Sequence, residues 1–204
     1  LGNLPFIAQI SRSGLPIVLS VGGGQIQHIR SSYETIKSVT NAPITILHCV
    51  SEYPCDYDRL GLRNIPVLKE HFPDATIGLS DHFNGTLSGP IGYLMGARTF
   101  EKHVTFNRSL KGTDHSFALE PEGFRKFVRD IHRTPQMLPP KNPEENGQES
   151  VFMKLGKTIV AKRSIKPGEL FTEKNIVGII QNSEGIPIRE ISNVLGKRAR
   201  SDVE

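Results

Sequence analysis

The chain reads as an α/β protein, the C-terminal half of a (β/α)8 TIM barrel followed by a small appended module. Three observations predict this. Four apolar, β-branched runs (residues 16–21, 43–50, 76–79 and 98–106) are each followed by a helical pattern. Their starts lie a few tens of residues apart, which is the rhythm of βα units in a parallel sheet. The composition then changes near Thr134, where a proline-rich stretch precedes a region of short elements.

The helices follow from periodicity. Ile26, Ile29, Tyr33, Ile36 and Val39 share one helical face after the first run, and Ile65, Leu68 and Phe72 share one after the second. Leu87, Ile91 and Met95 mark a shorter helix. Pro121 opens another, whose expected buried stripe is Phe124, Phe127, Val128 and Ile131. Residues 4–10 read as the tail helix of an earlier unit. A closed eight-stranded barrel takes roughly 250 residues, so about half is expected here, with four strands upstream and both chain ends cut. An open doubly wound sheet is the structural alternative.

Residues 1–133 are thus expected to form the half-barrel, 134–152 a linker, and 153–204 a small domain truncated at its C-terminus. In that domain, residues 155–161 read as a strand, Pro167-Gly168 as a turn and 187–195 as a brief helix ended by Gly196.

Composition bounds the function. The net charge of +4 comes from interspersed lysine, arginine and acidic residues, which gives no case for nucleic acid. Cys49 and Cys55 match no zinc-finger spacing and are read as reduced thiols. Without a signal-peptide pattern or an apolar stretch near ~18 residues, the expectation is a cytoplasmic protein with no membrane partner.

Active sites of parallel α/β folds lie where strands end, so those ends carry the candidates. The first run ends Ser20-Val21-Gly22-Gly23-Gly24, which is either an anion-binding turn at a helix N-terminus or a tight βα turn. The second ends at Ser51-Glu52-Tyr53-Pro54. Alternation puts Cys49 and Ser51 on one face and turns His48 towards the helices as a structural residue. The third ends Ser80-Asp81-His82. On the fourth, Glu101, His103 and Thr105 alternate onto one face. His82 and His103 from neighbouring strands either share a divalent metal or sit in an internal hydrogen-bond network. Asp114, in the polar loop Lys111-Gly112-Thr113-Asp114-His115, either holds a substrate hydroxyl or forms a turn.

The series Leu47-His48-Cys49-Val50-Ser51-Glu52-Tyr53-Pro54, Gly78-Leu79-Ser80-Asp81-His82, Gly96-Ala97, Glu101-Lys102-His103 and Lys111-Gly112-Thr113-Asp114-His115 resembles the sialic acid synthase family. That family makes N-acetylneuraminate or its 9-phosphate, and includes the legionaminate and pseudaminate synthases. Residues 155–197 resemble its antifreeze-like (SAF) domain. The resemblance implies a transferase that condenses phosphoenolpyruvate with N-acetylmannosamine or its 6-phosphate. It implies a divalent metal, manganese first and magnesium or cobalt as alternatives, on His82 and His103. It places Ser20, Ser51, Tyr53 and Ser80 at phosphoenolpyruvate and Asp114 at the sugar hydroxyls, and gives Glu101, Asp114 and His103 catalytic roles. It further implies a domain-swapped homodimer.

Two departures stand out. Val21 replaces a threonine of the usual Ser-Thr-Gly, and residues 177–181 lack an arginine that many bacterial members carry, which favours the phosphorylated sugar. The family's lysines for phosphoenolpyruvate belong to the first half of the barrel. A non-catalytic module that binds a sugar or a partner protein is the alternative reading.

Overall fold

The computed structural model of the chain describes residues 1–181 and 185–204. The chain divides into two compact units, Leu1–Pro139 and Pro140–Glu204.

In the first unit, α1 (Leu4–Ser11) precedes four βα units. Strands β1 (Ile17–Ser20), β2 (Ile44–Cys49), β3 (Thr76–Asp81) and β4 (Thr99–Lys102) form one parallel sheet in sequential order, as consecutive βα units require. Helices α2 (Ile26–Val39), α3 (Asn64–His71), α4 (Ser88–Leu94) and α5 (Pro121–Arg133) follow them in turn. Almost every residue of β2 and β3 is buried or half-buried, as expected of central strands covered on both faces. Ile29, Ile36, Ile46, Ile65, Phe72 and Ile77 form the core with Leu79, and the Tyr33 ring meets Phe72 at 5.1 Å. His48 faces this layer, buried, and donates Nε2–H to the Leu60 carbonyl at 2.7 Å.

Burial holds the His48 imidazole below its usual pKa of 6.5, although the Leu60 carbonyl opposes the shift. Between that lowered value and about 6.5 the unfolded chain takes up a proton that the folded chain refuses, so stability rises with pH across this window. Urea midpoints should therefore fall as pH drops from 7.5 to 5.5, and the His48→Gln variant should show a shallower fall. An equal slope in both proteins would remove His48 as a source.

Three expectations are corrected here. The fourth strand ends at Lys102 rather than running on to Phe106. Its partner β3 stops at Asp81, and the segment beyond turns to Leu119: the Leu119 amide donates to the His103 carbonyl and the Thr105 amide to that of Leu119, both at 2.9 Å. The buried face of α4 is Ser88, Gly89 and Gly92, with Leu87 exposed. The reason is close approach to α5. A Cβ on Gly89 would lie 2.6 Å from the Phe127 ring and 2.9 Å from Ile131. On α5 only Phe127 of the expected stripe is buried, and Phe124 and Val128 are exposed.

Gly89→Ala should therefore destabilise the protein. Overpacking costs about 1–3 kcal/mol, against at most about 1 kcal/mol gained in helix propensity. A thermal melt checks this, and an unchanged or raised Tm would contradict the packing argument.

In the second unit, a 3-10 turn (Pro143–Glu145) and α6 (Ser150–Leu155) lead into β5 (Lys157–Ala161), so the strand starts two residues later than the sequence suggested. β5 pairs antiparallel with β6 (Ile176–Ile180). Ile165, Ile176, Val194 and Ala199 are its core. Buried Asn175 ties a turn, accepting from the Thr172 amide at 2.7 Å and donating to the Leu170 carbonyl at 2.9 Å. The brief helix near the end is a 3-10 helix, Ile188–Asn193.

Candidate active site

The C-terminal ends of β1 to β4 open onto one cleft of about 830 Å³. β1 contributes Ser20, the segment after β2 Ser51 and Tyr53, β3 Ser80 and, one residue on, His82, and β4 Glu101 and then His103. Asp114 reaches it from the loop before α5. All eight residues singled out from the sequence line this space. Strand alternation is the cause: residues 80 and 82, and 101 and 103, fall on the same side of adjacent strands in register, with Ser80 opposite Glu101.

The side chains are fixed by short contacts. The Ser80 hydroxyl donates to Glu101 Oε1 at 2.6 Å. Buried His82 donates Nδ1–H to the Val50 carbonyl at 2.7 Å, which leaves Nε2 as its free acceptor. The His82 and His103 rings stand edge to face, 5.2 Å apart. Tyr53 stacks on His82 at 4.1 Å, and Phe117 backs His103 at 5.0 Å. His103 Nδ1 lies 3.6 Å from Asp114 Oδ2, close enough to orient the ring but too far for a hydrogen bond. The Thr113 hydroxyl donates to Asp114 Oδ1 at 2.7 Å.

Burial, and then the neighbouring His82, hold the His103 pKa below its usual value, although Asp114 pulls the other way. Its imidazole is therefore neutral at physiological pH, the state that can donate a lone pair. Burial and then the thiol and carboxylates around it raise the Tyr53 hydroxyl, which stays a proton donor. Among the described residues no group of three or more His, Cys, Asp or Glu is arranged as a metal cage. The donor set that does exist is two imidazoles: Nδ1 of His82 donates to the Val50 carbonyl, the usual outer support of a metal-binding histidine, and Nδ1 of His103 faces the Asp114 carboxylate, an arrangement that fits a divalent ion.

Thr105 departs from the expected face. It is buried, with its hydroxyl 2.8 Å from His115 Nδ1, away from the cleft. The glycine turn is divided: Gly22 lines the cleft, while Gly23 and Gly24 face a separate pocket beside His48. Glycine at position 22 leaves room for the Ser51 and Cys49 side chains, because a Cβ there would collide with Ser51 Oγ and lie 2.9 Å from Cys49 Sγ unless both turned away. Cys49 and Thr113 also line the cleft without having been singled out for it, although alternation had put Cys49 on the right face.

The larger omission lies behind the histidines. Asp81 and Lys102 pair at 2.8 Å, with their side chains 0% and 1% exposed. The sequence marked Asp81 as a carboxylate beside His82 for the ligand, whereas it turns away from the cleft, and it did not mark Lys102, because a lysine between two polar residues reads as solvated.

No helix among the described residues is long and apolar enough to cross a membrane. A family profile described as the NeuB family matches residues 1–142, and a SAF domain profile matches residues 156–204. Human N-acetylneuraminate-9-phosphate synthase is 30% identical over 203 residues, covering 99% of this chain and 56% of that protein. The structure of the spore coat polysaccharide biosynthesis protein SpsE of Bacillus subtilis superposes with a TM-score of 0.65 at 30% identity, over 99% of this chain and 62% of that one. An N-acetylneuraminic acid (sialic acid) synthetase of Leptospira borgpetersenii, solved with citrate, gives 0.64 at 30% identity, over 72% and 52%. The chain thus spans little more than half the length of such relatives. A half-barrel of sequential βα units with this set of strand ends, followed by a SAF domain, has one assignment: the chain belongs to the NeuB family.

Proposed function

We propose that this cleft is half of the active site of a nonulosonic acid synthase, an enzyme that joins phosphoenolpyruvate to N-acetylmannosamine or its 6-phosphate. In the reaction, the vinyl carbon of phosphoenolpyruvate attacks the sugar aldehyde, water adds at the enol carbon, and phosphate leaves by C–O cleavage. The observation that carries the reading is the convergence of Ser20, Ser51, Tyr53, Ser80, His82, Glu101, His103 and Asp114 on one space.

The residues divide by chemistry. Ser20, Ser51 and the Tyr53 hydroxyl are neutral donors suited to the oxygens of an anionic substrate. Glu101 and Asp114 are acceptors suited to water and sugar hydroxyls. Ser80 donates to Glu101 and so fixes where that carboxylate points. The Tyr53 and Phe117 rings wall the histidines from solvent on one side. A divalent ion on His82 and His103, manganese by our assignment, would supply Lewis-acid polarisation of the sugar aldehyde. No lysine or arginine is among the described residues lining the cleft, so the cations that phosphoenolpyruvate requires are assigned to other parts of the full-length protein.

The test is a KM series on the full-length protein. A hydrogen bond to a charged group is worth about 1.5–3 kcal/mol, so Ser20→Ala and Ser51→Ala should each raise KM for phosphoenolpyruvate roughly tenfold or more. An unchanged KM in both variants would detach the cleft from that substrate.

A further inference from the structure

The backbone ladder between β3 and β4 ends at Asp81 and Lys102, one residue short of His82 and His103. Both histidines therefore stand just past the last rung. On the outer side of the sheet, opposite the cleft, Lys102 Nζ donates to Asp81 Oδ2 at 2.8 Å and also to the Phe83 carbonyl. Asp81 Oδ1 accepts from the Phe83 amide at 2.9 Å, and its Oδ2 accepts from the Ser88 hydroxyl. The two side chains thus hold both polar backbone groups of Phe83, the residue after His82. The His82 carbonyl is held separately by the Cys55 amide at 3.0 Å.

We propose that the buried Asp81–Lys102 pair is a positioning device for the two histidines, replacing with side chains the ladder that the strands no longer supply. Lys102 precedes His103 and Asp81 precedes His82, so one cross-strand tether sets the separation of both rings. On the cleft face the Ser80–Glu101 hydrogen bond joins the same two strands one residue earlier. A pair of charges this deep is weak evidence of stabilisation in itself, since apolar replacements often do as well. Its placement on the backbone flanking His82 is what gives it a role. The inference rests on the metal reading above.

The experiment uses the full-length protein and the double variant Asp81→Asn/Lys102→Met. This variant keeps an acceptor for the Phe83 amide, leaves no unpaired charge and removes the tether. Manganese alone is titrated into each protein, and the ring tautomer of His82 is followed by 15N NMR. Loss of an outer support typically weakens metal binding by about ten- to a hundredfold, and that drop is expected in a variant that still melts cooperatively. The single Nδ1–H tautomer of His82 should become a mixture. If the wild type binds manganese and the variant binds within twofold of it, the positioning role is overturned while the metal reading stands. If the wild type binds none, the metal reading falls, and an unchanged tautomer in the variant then overturns the positioning role as well. Should the double variant fail to fold, Lys102→Arg, which keeps the charge but shifts the donors, is read by the same two criteria.

Discussion

Replacing His82 by alanine in the full-length protein is expected to weaken manganese binding by at least ~100-fold, more than the loss of an outer support typically causes. His103→Ala should do the same. The two imidazoles are the only nitrogen donors among the described residues lining the cleft, and each is held by a different strand end. With one removed, a single ring remains, and Glu101 is already engaged by Ser80. Sugar-dependent turnover should fall in parallel, while the fold, which does not use the His103 side chain as core, should melt normally in His103→Ala. Titration calorimetry with manganese and a thermal melt make the comparison. Affinity unchanged in both variants would leave the pair as an aromatic cluster with no metal role.

The second large effect is on stability. Lys102→Met alone leaves the Asp81 carboxylate fully buried without its cation, and breaking a buried pair from one side costs about 3–5 kcal/mol. The Asp81→Asn/Lys102→Met double variant removes both charges and should recover most of that loss. Urea midpoints of the wild type, the single and the double variants form the test. A single variant within about 1 kcal/mol of wild type would mean that water or another cation reaches Asp81, against its burial.

These two sites differ in how far the sequence exposed them. His82, His103, Glu101 and Ser80 were legible because strand alternation and the preference of parallel folds for strand-end chemistry act on local sequence. Cys49 fell on the right face by the same rule, but a thiol in an apolar run carries no sign of its neighbours. Thr105 was misplaced because alternation holds only while the ladder lasts, and β4 ends three residues earlier. The buried pairing of Lys102 and Asp81 was invisible for a different reason. Their burial depends on α4 presenting Ser88 to Asp81, Gly89 to α5 and Gly92 to the sheet, and no local pattern encodes that packing. Leu87 and Phe124, apolar and correctly spaced, are nonetheless exposed. The four strands and their order followed from repetition. The helix faces needed the packing.

The measurement closest to the central claim is phosphate release from phosphoenolpyruvate by the full-length protein with manganese, run with N-acetylmannosamine, with its 6-phosphate, and with neither. The account predicts release that requires one of the two sugars and is lost in His82→Ala. A folded protein that binds manganese yet releases no phosphate with either sugar would contradict it.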